Sequence, residues 1–186
     1  MHKLARAALL SALLILPRIP TGHAQAPAPA SPPAVPEAMP FDIPYGTPIN
    51  MDDAHKAIMA AVTEAKQHNW KMAISVVDPS GALIAHATMD GTQYGSIAIA
   101  QAKARTAALF RRPSKVFQDG INGANGPGTP GTLSLLALSG GVASEGGFPI
   151  VKDGKLIGAI GASGGLAPQD GVTARAGLAA AGGSAN

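Results

Sequence analysis

Apolar and polar positions change rhythm several times along this chain, and each rhythm predicts an element. From residue 51, Met51, Ala54, Ile58, Ala61, Val62 and Ala65 recur at helical spacing on one face, with His55 at the edge of the stripe. Asn50 precedes them as a cap, and Asp52 and Asp53 put negative charge where the helix dipole favours it. This helix is expected to end near His68 and Asn69. Period-two alternation follows over 70–78 and 82–89. Met72, Ile74 and Val76 alternate with Ala73, Ser75 and Val77, then Leu83, Ala85 and Ala87 with Ile84, His86 and Thr88. Pro79-Ser80-Gly81 has turn chemistry and joins the two runs. A second helix is predicted over 96–110, with Ile97, Ala100, Ala104, Ala107 and Ala108 as a small-residue face and Lys103 and Arg105 away from it. Arg111-Arg112-Pro113 stops it, and Ser114 is placed to cap a short helix through Val116 and Phe117.

Residues 120–131 carry so many Gly and Pro that they read as a loop, and 132–139 as a short helix or strand. Two apolar runs then flank Asp153-Gly154. Such a pair between strand-like segments signals a hairpin, because a type I′ turn needs positive φ at both central positions. The second run, 155–162, is apolar on both faces and reads as a central strand, with Gly158 and Gly161 where another backbone or a ligand comes close. A last helix is expected from about Pro168 to Ala181. Helix, hairpin, helix, loop, hairpin, helix is an α+β order: helices on an antiparallel sheet.

The N-terminus changes this picture. Lys3 and Arg6 precede an apolar run over 7–16 that is too short to cross a bilayer, and Ala24-Gln25-Ala26 resembles a cleavage site. Residues 1–26 therefore read as a secretory signal peptide, which predicts a periplasmic or secreted protein without a membrane span. Lys3, Arg6 and Arg18 account for the whole formal charge of +3, so the mature chain is neutral and gives no reason to expect nucleic-acid binding. Residues 27–39 are a Pro-rich linker, the domain is expected over 40–182, and 183–186 to fray. Phe41, Ile43 and Tyr45 are expected to lie on the domain or on a neighbouring subunit. The absence of Cys excludes disulfides, thiolate metal sites and Cys nucleophiles, so stability has to come from packing or assembly.

Candidate chemistry is sparse. No nucleophile elbow, zinc-protease motif or nucleotide loop is present. Of the histidines beyond residue 26, His55 is the candidate metal or haem ligand, with a surface or interface role as the alternative. His68 reads as solvated and His86 as structural. Glu145 lies among glycines just before the last hairpin, where a carboxylate is placed to contact a ligand or act as acid or base. Lys103, Arg105, Arg111 and Arg112 form a basic cluster suited to a carboxylate, with a solvated face as the alternative. The amides of Gly164 and Gly165 are placed to hold an oxyanion.

Several motifs agree in order and spacing with one family. Ser75-Val76-Val77-Asp78-Pro79-Ser80-Gly81, Met89-Asp90-Gly91, Lys103-Ala104-Arg105-Thr106-Ala107 and Gly140-Gly141 come first. Ile157-Gly158-Ala159-Ile160-Gly161-Ala162-Ser163-Gly164-Gly165 and Gln169-Asp170 complete the set. Together they resemble the GlcG/HbpS family of haem-binding or haem-degrading domains, related to the C-terminal domain of PduO-type adenosyltransferases. The resemblance implies a profilin- or PAS-like sheet of about five strands flanked by helices, and assembly as dimers up to octamers. It implies haem as a possible cofactor, with Thr106 and His55 as the contacts. The chain departs from the family where Leu166-Ala167-Pro168 replaces a Thr-containing turn and Gly171 follows. Two functions follow from the residues and the resemblance together. One is an exported oligomer binding haem or a small carboxylate, with Arg105 and Arg111 near the acid group. The other is an enzyme acting on a small oxygenated acid or on haem through Glu145. A structural assembly module is the third reading.

Overall fold

The computed structural model of the chain describes residues 35, 37–39, 41–123 and 130–184. The signal-peptide reading and most of the Pro-rich segment lie outside them. Residues Ala38–Asn186 form one compact unit.

Helix α1 spans Met51–Gln67 and starts as expected: the Asn50 side chain accepts a hydrogen bond from the Asp53 amide at 2.8 Å. Ala54, Ala57, Ile58, Ala61, Val62 and Ala65 are its buried face, whereas Met51 lies off it and is half exposed. Strands β1 (Ala73–Val77) and β2 (Leu83–Thr88) form the first hairpin. Asp78 builds its turn, its carboxylate accepting from the Ser80 amide at 2.7 Å, the Ser80 hydroxyl at 2.6 Å and the Ala82 amide at 3.0 Å. Helix α2 (Gly95–Phe110) follows and ends at Arg111, which takes a left-handed conformation.

The segment after α2 is more regular than its composition indicates. Helix α3 spans Lys115–Asn122, so Gly120 is helical, and helix α4 spans Pro130–Ser139. Residues 124–129 of the expected loop lie outside the description. Ser114 does not cap α3. Its hydroxyl donates to the Ser144 carbonyl at 2.6 Å and accepts from the Gly147 amide at 2.9 Å, tying α3 to the following strand.

Strands β3 (Gly147–Lys152) and β4 (Lys155–Ser163) flank Asp153 and Gly154, whose φ angles of 50° and 71° are those the turn requires. The sheet has four strands rather than five, all antiparallel, in the order β2-β1-β4-β3. Helix α5 (Ala167–Ala180) closes the domain. Segment 44–49 lies along the start of β4, through Gly46 to the Leu156 carbonyl at 2.8 Å and Ile49 to the Ile157 carbonyl at 2.7 Å. No helix among the described residues is long and apolar enough to cross a membrane.

The helices cover both faces of the sheet. Ile74, Val76, Ile160 and Ala162 face α1 and α5, while Val77 and Ala159 face the alanines of α2. Alanines and glycines allow α2 to approach closely. A Cβ on Gly161 would run into the Ala100 carbonyl oxygen and the Ala104 nitrogen of α2.

Candidate functional site

The residues singled out by sequence fall into separate places. Arg105 and Thr106 meet on the α2 side. Thr106 is fully buried, and its hydroxyl donates to the Ala102 carbonyl at 2.7 Å and accepts from the Val142 amide at 2.9 Å. It thus clamps the 140–142 loop to α2. Arg105 points outward, and its stem crosses the first hairpin turn, where a Cβ on Gly81 would lie 2.9 Å from the Arg105 Cγ. Its guanidinium makes no hydrogen bond or ion pair among the described residues. It borders a cavity of about 410 Å³ walled by Leu83, Ala98, Gln101, Ala102 and Gly140.

His55 is far from this group. It is exposed on α1, across the sheet from α2. Arg111 is elsewhere again, donating to the Ile43 carbonyl at 3.0 Å.

Glu145, Gly164 and Gly165 belong to a third place, organised by a residue read from sequence as outward-facing. Lys103 is buried. Its ammonium donates to the Asp170 carboxylate at 2.7 Å and to the Glu145 carbonyl at 2.6 Å. Asp170 also accepts from the Gly165 amide at 3.0 Å. Burial pushes the Asp170 carboxyl above the usual range, opposed by Lys103 and by the Gly165 and Gly164 amides. The Gly164–Gly165 amides expected to cradle an oxyanion therefore serve the chain's own carboxylate.

Glu145 is similarly committed. Its Oε1 accepts from both terminal nitrogens of Arg175, at 2.8 and 3.4 Å, and the Arg175 guanidinium lies 4.7 Å over the Phe148 ring. Gly171 makes room for it, because a Cβ there would lie 2.5 Å from Glu145 Oε1. The glycine that weakens the start of α5 is what allows the carboxylate to pack. Leu166, in place of the usual Thr, leaves the α5 start capped through its own amide, which donates to Gln169 Oε1 at 2.8 Å.

A porphyrin fits this arrangement in part. The alanines, Leu83 and an unpaired guanidinium suit a ring edge and a propionate, while Gln101 makes the rest of the wall polar. Beside them, the Thr106 hydroxyl is used on both sides and His55 is across the sheet, so one chain does not bring its candidate axial ligands to Arg105. Among the described residues no three His, Asp or Glu side chains group to hold a metal ion.

An antiparallel four-stranded sheet covered by helices on both faces, with a Lys-Asp pair locking α2 to α5, defines an α+β domain. The chain belongs to the family described as haem degrading protein HbpS-like, whose model matches residues 49–179. It is 40% identical to Protein GlcG of Escherichia coli (strain K12) over 110 residues, which is 59% of this chain and 77% of that one. A crystal structure of a PduOC–haem complex superposes with a TM-score of 0.67 at 26% identity, covering 75% of this chain and 99% of that one. A double mutant of HbpS from Streptomyces reticuli superposes with a TM-score of 0.64 at 27% identity, covering 81% and 97%.

Proposed function

We propose that this is an exported, self-assembling protein that binds haem, or a small carboxylate-bearing molecule, against the outer side of α2. The observation that carries the reading is Arg105: an outward guanidinium, unpaired among the described residues, beside a cavity of mixed lining in which alanines and Leu83 stand with Gln101. Such a cation beside a wall that is part apolar and part polar suits an amphipathic acid. A related domain has been crystallised with haem, which supports haem as the occupant.

His55 and Arg105 lie on opposite sides of one sheet, so a haem touching both has to bridge two copies. Exposed apolar side chains on the α2 side, Leu83 at 49%, Tyr94 at 91% and Ile99 at 39%, support burial against another copy. Export is supported by the N-terminal pattern of residues 1–26.

The test is a haemin titration of the purified protein. A saturable Soret shift is expected, weakened in Arg105→Ala and in His55→Ala, with native mass spectrometry showing more than one chain per bound haem. An unchanged spectrum at micromolar protein would overturn haem as the occupant.

A further inference from the structure

A second cavity, of about 510 Å³, lies between the 41–43 segment, the Arg111-Arg112-Pro113 corner and the outer edge of β3. Its walls are mostly apolar: Phe41, Ile43, Pro113, Val116, Pro149 and Val151. Two guanidiniums converge on it. Arg111 is used, on the Ile43 carbonyl. Arg112 is not. Its carbon centre sits 4.0 Å over the Phe41 ring and 4.6 Å over the Phe117 ring, and its buried Nε has no acceptor. The guanidinium makes no hydrogen bond or ion pair among the described residues. Aromatic faces hold it in position without satisfying its donors.

Phe41 supplies a further observation. It adopts φ 65°, a left-handed conformation that a bulky side chain rarely takes, and in it the ring reaches Arg112. The cavity is therefore built by a strained residue around an orphaned cation.

We infer that this cavity is a binding site for a monocarboxylic acid with an apolar body. The carboxylate meets the terminal nitrogens of Arg112, and the body lies on Ile43, Val116, Pro149 and Val151. Asp42 stands in the lining and forms no ion pair with either arginine, so it faces any second negative charge on the ligand and favours a monoacid over a diacid. The site shares no residue with the Arg105 cavity, and the inference does not rest on the haem reading.

The test is calorimetric titration of the full chain with 4-phenylbutyrate and with its uncharged amide. The acid is expected to bind saturably and at least tenfold more tightly than the amide. Arg112→Gln should weaken the acid at least tenfold, while Lys56→Gln, at an exposed cation on α1 outside the cavity, leaves it within about twofold. If Arg112→Gln fails to fold, Val116→Phe, a substitution at a partly exposed wall position, should abolish binding by filling the cavity while leaving the thermal unfolding midpoint within a few degrees of the wild type. Absence of saturable binding at millimolar acid, equal binding of acid and amide, or a loss in Arg105→Gln with none in Arg112→Gln would each overturn the inference.

Discussion

The Lys103 ammonium lies 2.7 Å from the Asp170 carboxylate, with side-chain exposures of 2% and 4%, and joins α2 on one side of the sheet to α5 on the other. A buried ion pair is not a strong source of net stability, because desolvation of both charges offsets their attraction. Breaking it is a different matter, since one charge is then buried alone. Gly146 shows how little room there is: a Cβ there would lie 3.1 Å from Lys103 Nζ and 2.8 Å from Asp170 Cβ.

Asp170→Leu or Lys103→Met alone should each cost about 3–5 kcal/mol, whereas the double variant Lys103→Met/Asp170→Leu should recover much of that loss. Urea unfolding of the four proteins checks this. Additive losses in the double variant would show that the two side chains act independently.

The close approach of α2 to β4 gives a second expectation. Gly161→Ala drives a methyl group into helix backbone, which cannot rotate away as a side chain does, and should cost about 3 kcal/mol. Gly154→Ala is the control. It has open space around it and meets only its left-handed φ of 71°, so about 1–2 kcal/mol is expected. Equal losses would mean that the contact with Ala100 and Ala104 is not what requires the glycine.

These two relationships show which parts of the molecule were legible in the sequence. Asp153-Gly154 could be read because backbone geometry dictates the residue types locally. The capped start of α1 could be read for the same reason. Lys103 could not be read from its charge, which pointed outward. On its charge it is expected away from the small-residue face, although its spacing from Ala100, Ala104 and Ala107 is that of the buried stripe, and its partner is 67 residues away. Gly120 misled because glycine weakens a helix by only about 1 kcal/mol, which tertiary ties such as Ser114 to Ser144 and Gly147 readily offset. Gly171 weakens the start of α5 locally, and its reason lies in Glu145, whose carboxylate occupies the space a Cβ would take. The expected oxyanion cradle failed similarly, because a lone sequence does not reveal that Asp170 turns back onto Gly165.

Thr106 offers a test that separates clamp from ligand. Its hydroxyl joins the Ala102 carbonyl to the Val142 amide in a fully buried position. Thr106→Val keeps the shape and leaves that amide without an acceptor, so a loss of about 1–3 kcal/mol is expected, with Thr106→Ser losing less. Thermal unfolding measures the loss, and a haemin titration of both variants measures the other role. A Soret response lost in the valine variant while its stability is unchanged would identify Thr106 as a haem contact rather than a clamp.

His86 gives the pH dependence. It lies in β2, with Nδ1 2.8 Å from the Ser75 hydroxyl and Nε2 2.7 Å from the Thr88 hydroxyl, and burial holds its pKa below the ordinary 6.5. The unfolded chain therefore takes up this proton at higher pH than the folded one. The folded state is fully favoured above about pH 6.5 and loses stability as pH falls from there toward the depressed folded value. Protonation also forces both ring nitrogens to donate, so each hydroxyl has to turn its lone pairs toward the ring. Urea midpoints of the wild type at about pH 7.5 and 5.5 should differ, and His86→Gln should shrink that difference while lowering stability at the higher pH. An unchanged difference in His86→Gln would place the acid sensitivity in other groups.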